Sequence, residues 1–223
     1  MNRWHKHLPL ITLCITVALL FNRLFVGEVI FWGVPAIQFY PWRKFAFDLI
    51  RQGTLPFWNP YSGFGAPLLA NYQSAVLYPL NWLYLLIPTE YAMGWIGLAH
   101  VIWGGIGMRA YLRRLEIGTF GQGVAMLAFC LSGSVIGRFG FLSITSAVAW
   151  LPWLLWAYHQ LAMHNRRRDF IAATLSFSLL ILTHNVTALY GLLILIPYVL
   201  ALWWTGRTPS FTFIQALLAG ILA

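Results

Sequence analysis

The side chains best suited to chemistry lie in a polar and aromatic stretch, Ala36–Pro88, that is flanked by hydrophobic segments. The stretch is crowded with Gln, Asn, Arg, Trp, Pro and Gly. Arginine can bind phosphate in a bidentate manner, and a carboxylate can act as a general base or hold a divalent cation. A simple connector is short and turn-like, whereas a long loop beside a membrane usually carries function. We therefore expect function in this stretch.

The composition is that of an integral membrane protein. The chain is 60% hydrophobic, 17% aromatic and 9% charged, whereas a soluble domain has about a quarter charged residues. Its formal net charge is +9, but the basic residues fall at the ends of apolar segments, which is typical of topology signals. This pattern argues against nucleic-acid binding. Cys14 and Cys130 lie inside apolar runs and indicate neither a disulfide framework nor a metal site.

Hydrophobic segments recur along the chain at lengths suited to a bilayer core, which needs about twenty residues per helix. We predict an all-α, polytopic transmembrane domain over residues 1–223 with six complete spans and a partial seventh: Leu8–Val26, Ala92–Leu112, Phe120–Gly137, Thr145–Met163, Phe170–Val186, Leu189–Trp204 and Phe211–Ala223. The last segment has thirteen residues, too few to cross, so we expect a missing C-terminal part. The first span reads as a retained signal-anchor behind Arg3 and Lys6.

The positive-inside rule orients these spans. With a cytoplasmic N-terminus, the arginine-rich turns at 113–119, 164–169 and 205–210 all become cytoplasmic. The loop of residues 27–91 and the short turns 138–144 and 184–188 are then external, and residues 92–223 form a helical bundle.

Within the loop we predict an amphipathic interfacial helix at Pro41–Gln52, ended by Gly53. Its apolar face would hold Trp42, Phe45, Ala46, Leu49 and Ile50, and its polar face Lys44, Asp48, Arg51 and Gln52. The Pro- and Gly-rich run after Gly53 predicts a fixed, non-helical loop. Tyr78–Pro88, interrupted by Pro79 and Asn81, predicts a buried or re-entrant helix.

Several motifs in this region carry a family resemblance. Q-F-Y-P-W at Gln38–Trp42 is followed by G-x-L-P-F-W-N-P-Y-x-G-x-G-x-P-L-L-A-N-Y-Q-S-A-x-x-Y-P from Gly53 to Pro79. Together with A-W-L-P-W at Ala149–Trp153, this pattern resembles the YfhO-like bacterial membrane proteins. Those proteins are similar to the C-type glycosyltransferase superfamily. The resemblance implies transfer of a sugar from a polyprenyl-phosphate donor to an envelope acceptor at the external face of the plasma membrane.

An external active site restricts the choice among the five acidic residues. Glu116 and Asp169 lie on the cytoplasmic side, which leaves three. Glu28 best matches the position of the acidic residue in the superfamily. Alternatively, it is an ordinary interfacial charge at a helix end. Asp48 is the second catalytic candidate, with surface pairing to Lys44 and Arg51 as its alternative. Glu90 fits a helix N-terminus. The residues leave open whether a divalent cation takes part.

Cations and amides supply the predicted substrate contacts. Arg23, Arg43 and Arg138 could hold a lipid phosphate, although Arg23 could instead snorkel to the headgroups. His184 is a candidate ligand or proton carrier, or a hydrogen-bond partner of a helix end, and His100 is expected to be a packing or hydrogen-bond group. The remaining contacts suit a sugar but could equally build a rigid loop: Gln38, Trp58, Asn59, Asn71 and Gln73.

Two further readings remain open. The family pattern places an Asp shortly before Gln38, where this chain reads Phe31-Trp32-Gly33-Val34-Pro35. This difference favours a protein that binds or moves a lipid-linked substrate without turning it over. The partial seventh segment suits an inactive truncated remnant. The sequence contains no P-loop, nucleotide-binding glycine fingerprint, G-x-S-x-G motif or Cys/His metal spacing.

Overall fold

The structure is a computed structural model that describes residues 7–206, 215 and 218–220. It is mostly helical, at 73% helix, with almost no strand. Arg3, Lys6, the predicted turn at Arg207 and most of the predicted seventh segment lie outside the described residues.

Nine α-helices follow one another along the described chain: α1 Leu8–Leu20, α2 Asn22–Phe25, α3 Tyr40–Arg51, α4 Thr89–Arg114, α5 Thr119–Cys130, α6 Gly133–Ile136, α7 Leu142–His164, α8 Arg167–Thr183 and α9 Asn185–Trp204. A π-helical turn, Pro35–Phe39, leads into α3, and a 3-10 helix, Pro79–Leu85, precedes α4. Between them, β1 (Trp58–Asn59) pairs antiparallel with β2 (Ala66–Pro67).

Two stretches are long and apolar enough to cross a membrane, judged by length and composition within the described residues. They are Thr119–Ile136, which comprises α5 and α6, and Asn185–Trp204, which is α9. The predicted first span, Leu8–Val26, is interrupted in the structure, because the chain leaves the helix at Phe21 between α1, which has 13 residues, and α2. Phe21 leaves helical geometry at φ −107°, ψ 28°.

Helices α4 and α7 form the centre of the helical part. Helix α4 contacts α1, α3 and α5, while α8 and α9 pack against α7. The two central helices approach closely because α4 presents glycines. A Cβ on Gly104 would lie 3.2 Å from the Ala149 Cα, and one on Gly107 would lie 2.6 Å from the Trp153 ring. Small residues at such contacts let helix backbones approach each other.

Residues 26–88, called the connecting segment below, pack against α4 and α7 through a core of their own. Phe39, Phe47 and Tyr84 are fully buried there together with Met93 and Ile96 of α4. The predicted helix at Pro41–Gln52 is present as α3. As predicted, Gly53 ends it at φ +76°, and the Gly53 and Thr54 N–H groups donate to carbonyls of the last helical turn.

The predicted apolar face of α3 is incomplete. Ala46 is buried as predicted, and Trp42, Phe45 and Ile50 pack against the same core. Arg43 and Phe47, which the prediction left out, are also buried. The 3-10 helix covers α3 from the side of Phe47, whose ring lies 5.2 Å from that of Tyr84. Protein therefore covers this face, and α3 is packed between elements of the fold.

A substitution at the α4–α7 contact should destabilise the protein. We expect Gly104→Leu to lower the free energy of unfolding by about 1–3 kcal/mol, because the added side chain meets Phe129 and the Ala149 backbone. Thermal unfolding of the purified protein in detergent measures this. Gly133→Leu is the control, since nothing lies within 4 Å of a Cβ built at Gly133. Equal midpoints for the two variants would contradict the close packing.

Candidate functional site

Glu28 lines an open pocket of about 290 Å3 just beyond the first helices. Arg23 Nη1 lies 2.7 Å from Glu28 Oε1, and both side chains are more than half exposed. Trp32 and Ile30 complete much of the wall. The predicted base and the predicted phosphate contact are thus neighbours, in a place where a ligand can reach both. This arrangement is called the Glu28 pocket below.

Asp48, the second catalytic candidate, is held on the surface of α3. Its Oδ2 accepts from Lys44 at 2.8 Å and its Oδ1 accepts from Arg51 at 2.6 Å. The same contact raises the pKa of Lys44. With both carboxylate oxygens engaged at i,i+3 and i,i+4 spacing, Asp48 has the contacts of a surface ion pair. Both oxygens of Asp48 therefore already accept from cations, and proton transfer would compete with these contacts.

Four polar or aromatic residues form a connected row across the connecting segment. Gln38 Nε2 donates to Gln73 Oε1 at 2.6 Å, and Gln73 Nε2 donates to Tyr72 Oη at 3.4 Å. The Tyr72 ring packs edge-on against His184, with centroids 5.2 Å apart. The sequence predicted Gln38, Gln73 and His184 near substrate. Gln38 reaches Gln73, 35 positions later, because the connecting segment folds back on itself, and His184 meets Tyr72 from the turn before α9.

The amides predicted to bind sugar include two that shape the loop. Asn59 is 5% exposed, and its Oδ1 accepts from the Tyr61 backbone N–H at 3.0 Å. Asn71 Oδ1 likewise accepts from the Gln73 N–H at 3.0 Å. Both are Asx turns, in which the side chain replaces a backbone acceptor. Trp58 remains half exposed, and its ring lies against Gly65, where a Cβ would come within 2.5 Å.

The last two predicted contacts lie at turns between helices. His184 is buried and caps α9, because its Nδ1 accepts from the Thr187 N–H at 3.2 Å. A nitrogen that accepts this bond carries no proton, so the contact fixes the ring's protonation at that atom. Arg138 is exposed in the turn before α7, and its carbonyl accepts from Thr145 Oγ1 at 2.8 Å.

Arg43 is buried, which corrects its predicted place at the membrane interface. Only 1% of the residue is exposed, and the guanidinium carbon lies 4.8 Å from the Phe39 ring centroid and 5.7 Å from that of Tyr84. Its Nε and Nη1 atoms and the Tyr84 hydroxyl are buried without a hydrogen-bond partner among the described residues. Burial lowers the pKa of Arg43 and raises that of Tyr84. The Phe39 and Tyr84 rings stabilise the guanidinium through cation–π contacts.

Sequence analysis missed a hydrogen-bond chain, called the Tyr78 relay below. Trp150 Nε1 donates to Tyr78 Oη at 2.8 Å, and Tyr78 Oη lies 2.7 Å from His100 Nε2. His100 Nδ1 lies 2.6 Å from the Ile96 carbonyl. A carbonyl only accepts, so Nδ1 carries the proton and Nε2 accepts from Tyr78. The side-chain polar atoms of Tyr78, His100 and Trp150 thus all have a hydrogen-bond partner. Tyr78 is 22 positions from His100 and 72 from Trp150, so no local sequence pattern links the three residues.

The described residues do not form a metal centre of their own, since no three His, Cys, Asp or Glu side chains cluster among them. Glu28 offers one carboxylate, already paired with Arg23. Comparison with protein-family models, curated proteins and solved structures finds no match for the chain.

The burial of Arg43 leads to a prediction about volume and charge. Arg43→Met should unfold within about 1 kcal/mol of the parent, because lost ring contacts are offset by relief of an unbonded buried charge. Arg43→Ala leaves a cavity among Phe39, Tyr84 and their neighbours, and should cost about 3 kcal/mol. Detergent-solubilised protein unfolded by heat or denaturant gives both values.

Arg51→Met provides the matched control on the same helix. Arg51 binds Asp48 and donates to the Tyr84 carbonyl, so its loss should cost about 1 kcal/mol. If Arg43→Met proved as unstable as Arg43→Ala, the Arg43 charge would have to be stabilised by a partner, and this account of its burial would be wrong.

His184 gives a test that separates capping from ligand binding. Asn is among the preferred N-cap residues, so His184→Asn should retain the stability of α9, whereas His184→Leu should lose about 1 kcal/mol. The unfolding midpoint measures both. Equal losses in the two variants would show that capping is not what His184 contributes.

Proposed function

We propose that the chain is a multi-pass protein of the bacterial cell membrane with a cytoplasmic N-terminus. Six complete spans would be built from α1–α2, α4, α5–α6, α7, α8 and α9, with residues 27–91 on the external side. The two stretches of spanning length and apolarity support this proposal. Large apolar side chains are also exposed on α9, including Leu189, Leu193 and Ile196, as expected of a helix that faces lipid.

We further infer that the protein transfers a sugar from a polyprenyl-phosphate donor to an acceptor in the cell envelope. The observation that carries this inference is the Glu28 pocket, where a carboxylate and a guanidinium lie 2.7 Å apart and open to solvent. A transferase of this kind needs one group to accept a proton and one to bind phosphate. Trp32 in the wall supplies an aromatic surface for a sugar ring.

The proposed reaction assigns one task to each side chain. Glu28 accepts the proton of the acceptor hydroxyl as the acceptor oxygen bonds to the anomeric carbon. The bond from that carbon to the phosphate oxygen breaks, and polyprenyl phosphate leaves with the electron pair. Arg23 exchanges its contact with Glu28 for the phosphate, which frees the carboxylate when the donor binds.

A second candidate function is binding or movement of a lipid-linked substrate without turnover. One observation favours it: Glu28 is neutralised by Arg23, and Asp48 by two cations. At such a site, the arginine can bind a phosphate by releasing the carboxylate, and no general base is needed.

Glu28→Gln separates the two functions. The amide keeps the volume and can still accept from Arg23, but it cannot take up a proton. Transfer of label from polyprenyl-phosphate hexoses to envelope material in isolated membranes should fall at least roughly 100-fold. Donor binding should persist. Glu90→Gln, in the first turn of α4, is the control and should transfer normally.

Normal turnover by Glu28→Gln would remove Glu28 from the mechanism. If the parent protein binds these donors and never consumes them, the non-catalytic function replaces the transferase. Arg23→Gln should weaken donor binding under either function, and full binding by that variant would exclude the Glu28 pocket altogether.

A further inference from the structure

A second pocket, of about 350 Å3, lies at the opposite end of α4 from Glu90. Its lining consists of Ala110, Arg113 and Arg114 from the last turns of α4 and Trp153 and Trp156 from α7. It shares no lining residue with the Glu28 pocket. We call it the Arg–Trp groove.

The cations of this groove make no ion pair within the part of the chain that the structure describes. Arg113 and Arg114 are exposed, and neither makes an ion pair with a described residue. Glu116, two residues beyond the helix, is not paired with them either. Arg109 lies one turn before Arg113, so positive charge accumulates at this end of α4. Two adjacent guanidiniums suit an anion with several oxygens, since each can bind in a bidentate manner.

The aromatic wall of the groove is fixed in place by the α4–α7 contact. Trp153 Nε1 donates to the Trp103 carbonyl at 3.0 Å, and the two rings are stacked with centroids 4.4 Å apart. The Trp156 ring lies edge-on to Trp153 at 5.6 Å. Gly107 leaves the space that the Trp153 ring fills. Because the Trp153 N–H is already bonded, this ring offers the groove an apolar surface.

We propose that the Arg–Trp groove binds an anionic phospholipid, with the phosphate on Arg113 and Arg114 and the upper part of an acyl chain along Trp153 and Trp156. Charge complementarity selects the anion, and the apolar wall beside it selects a lipid over a free phosphate. Basic pockets between membrane helices bind acidic lipid headgroups in this manner. The inference rests on membrane embedding and is independent of the transfer reaction.

Native mass spectrometry of the purified chain in detergent tests the proposal, with phosphatidylglycerol and phosphatidylcholine as probes. The parent protein should bind phosphatidylglycerol at least roughly tenfold more tightly than phosphatidylcholine, the scale of one or two charge-assisted hydrogen bonds. The double variant Arg113→Gln, Arg114→Gln should lose this preference. The matched control Arg167→Gln, Arg168→Gln removes the same charge from another basic turn and should retain it.

Trp156→Ala keeps every charge and topology signal, and should still weaken phosphatidylglycerol binding several-fold through lost apolar contact. Its result stands even where the arginine variant fails to insert. Equal lipid binding by the parent, the arginine variant and Trp156→Ala would overturn the proposal. Displacement of phosphatidylglycerol by millimolar inorganic phosphate would overturn it too, because the groove would then be a free-phosphate site.

Discussion

The Tyr78 hydroxyl is the point at which the connecting segment joins the helices that support it. It accepts from Trp150 of α7 and donates to His100 of α4, so one oxygen atom bonds to both central helices. Each partner is buried or half-buried, where an unpaired polar group is costly. Displacing the segment would leave Tyr78 and His100 unsatisfied together. The place of α3, the 3-10 helix and the row from Gln38 to His184 depends on this constraint.

The protein holds two kinds of cation. Arg43 is enclosed by Phe39 and Tyr84 within the connecting segment, whereas Arg23 of α2 lies in an open pocket beside Glu28. An enclosed guanidinium without hydrogen-bond partners costs free energy that packing must offset. An exposed ion pair costs little and exchanges partners readily. Arg23 is thus suited to reversible ligand binding, whereas Arg43 is suited to a structural position in the interior.

The sequence predicts what local pattern determines. Gly53 marks the end of α3 because a glycine adopts the left-handed conformation there, and the i,i+4 spacing of Lys44 and Asp48 anticipates their ion pair. The burial of Arg43 was not predicted, since helical periodicity does not show which face a distant element covers. Phe39 and Phe47, four positions to either side, are the signal that could have found it. The Tyr78 relay links positions too far apart for any local pattern.

The same distances set an order of assembly during synthesis. Trp150 is made 72 residues after Tyr78, a delay on the order of ten seconds at the usual rate of translation. Throughout that interval the connecting segment has emerged without α7 to close against. Its aromatic residues must therefore remain apart from other chains until the second central helix arrives. The connecting segment is thus made before the helix against which it closes.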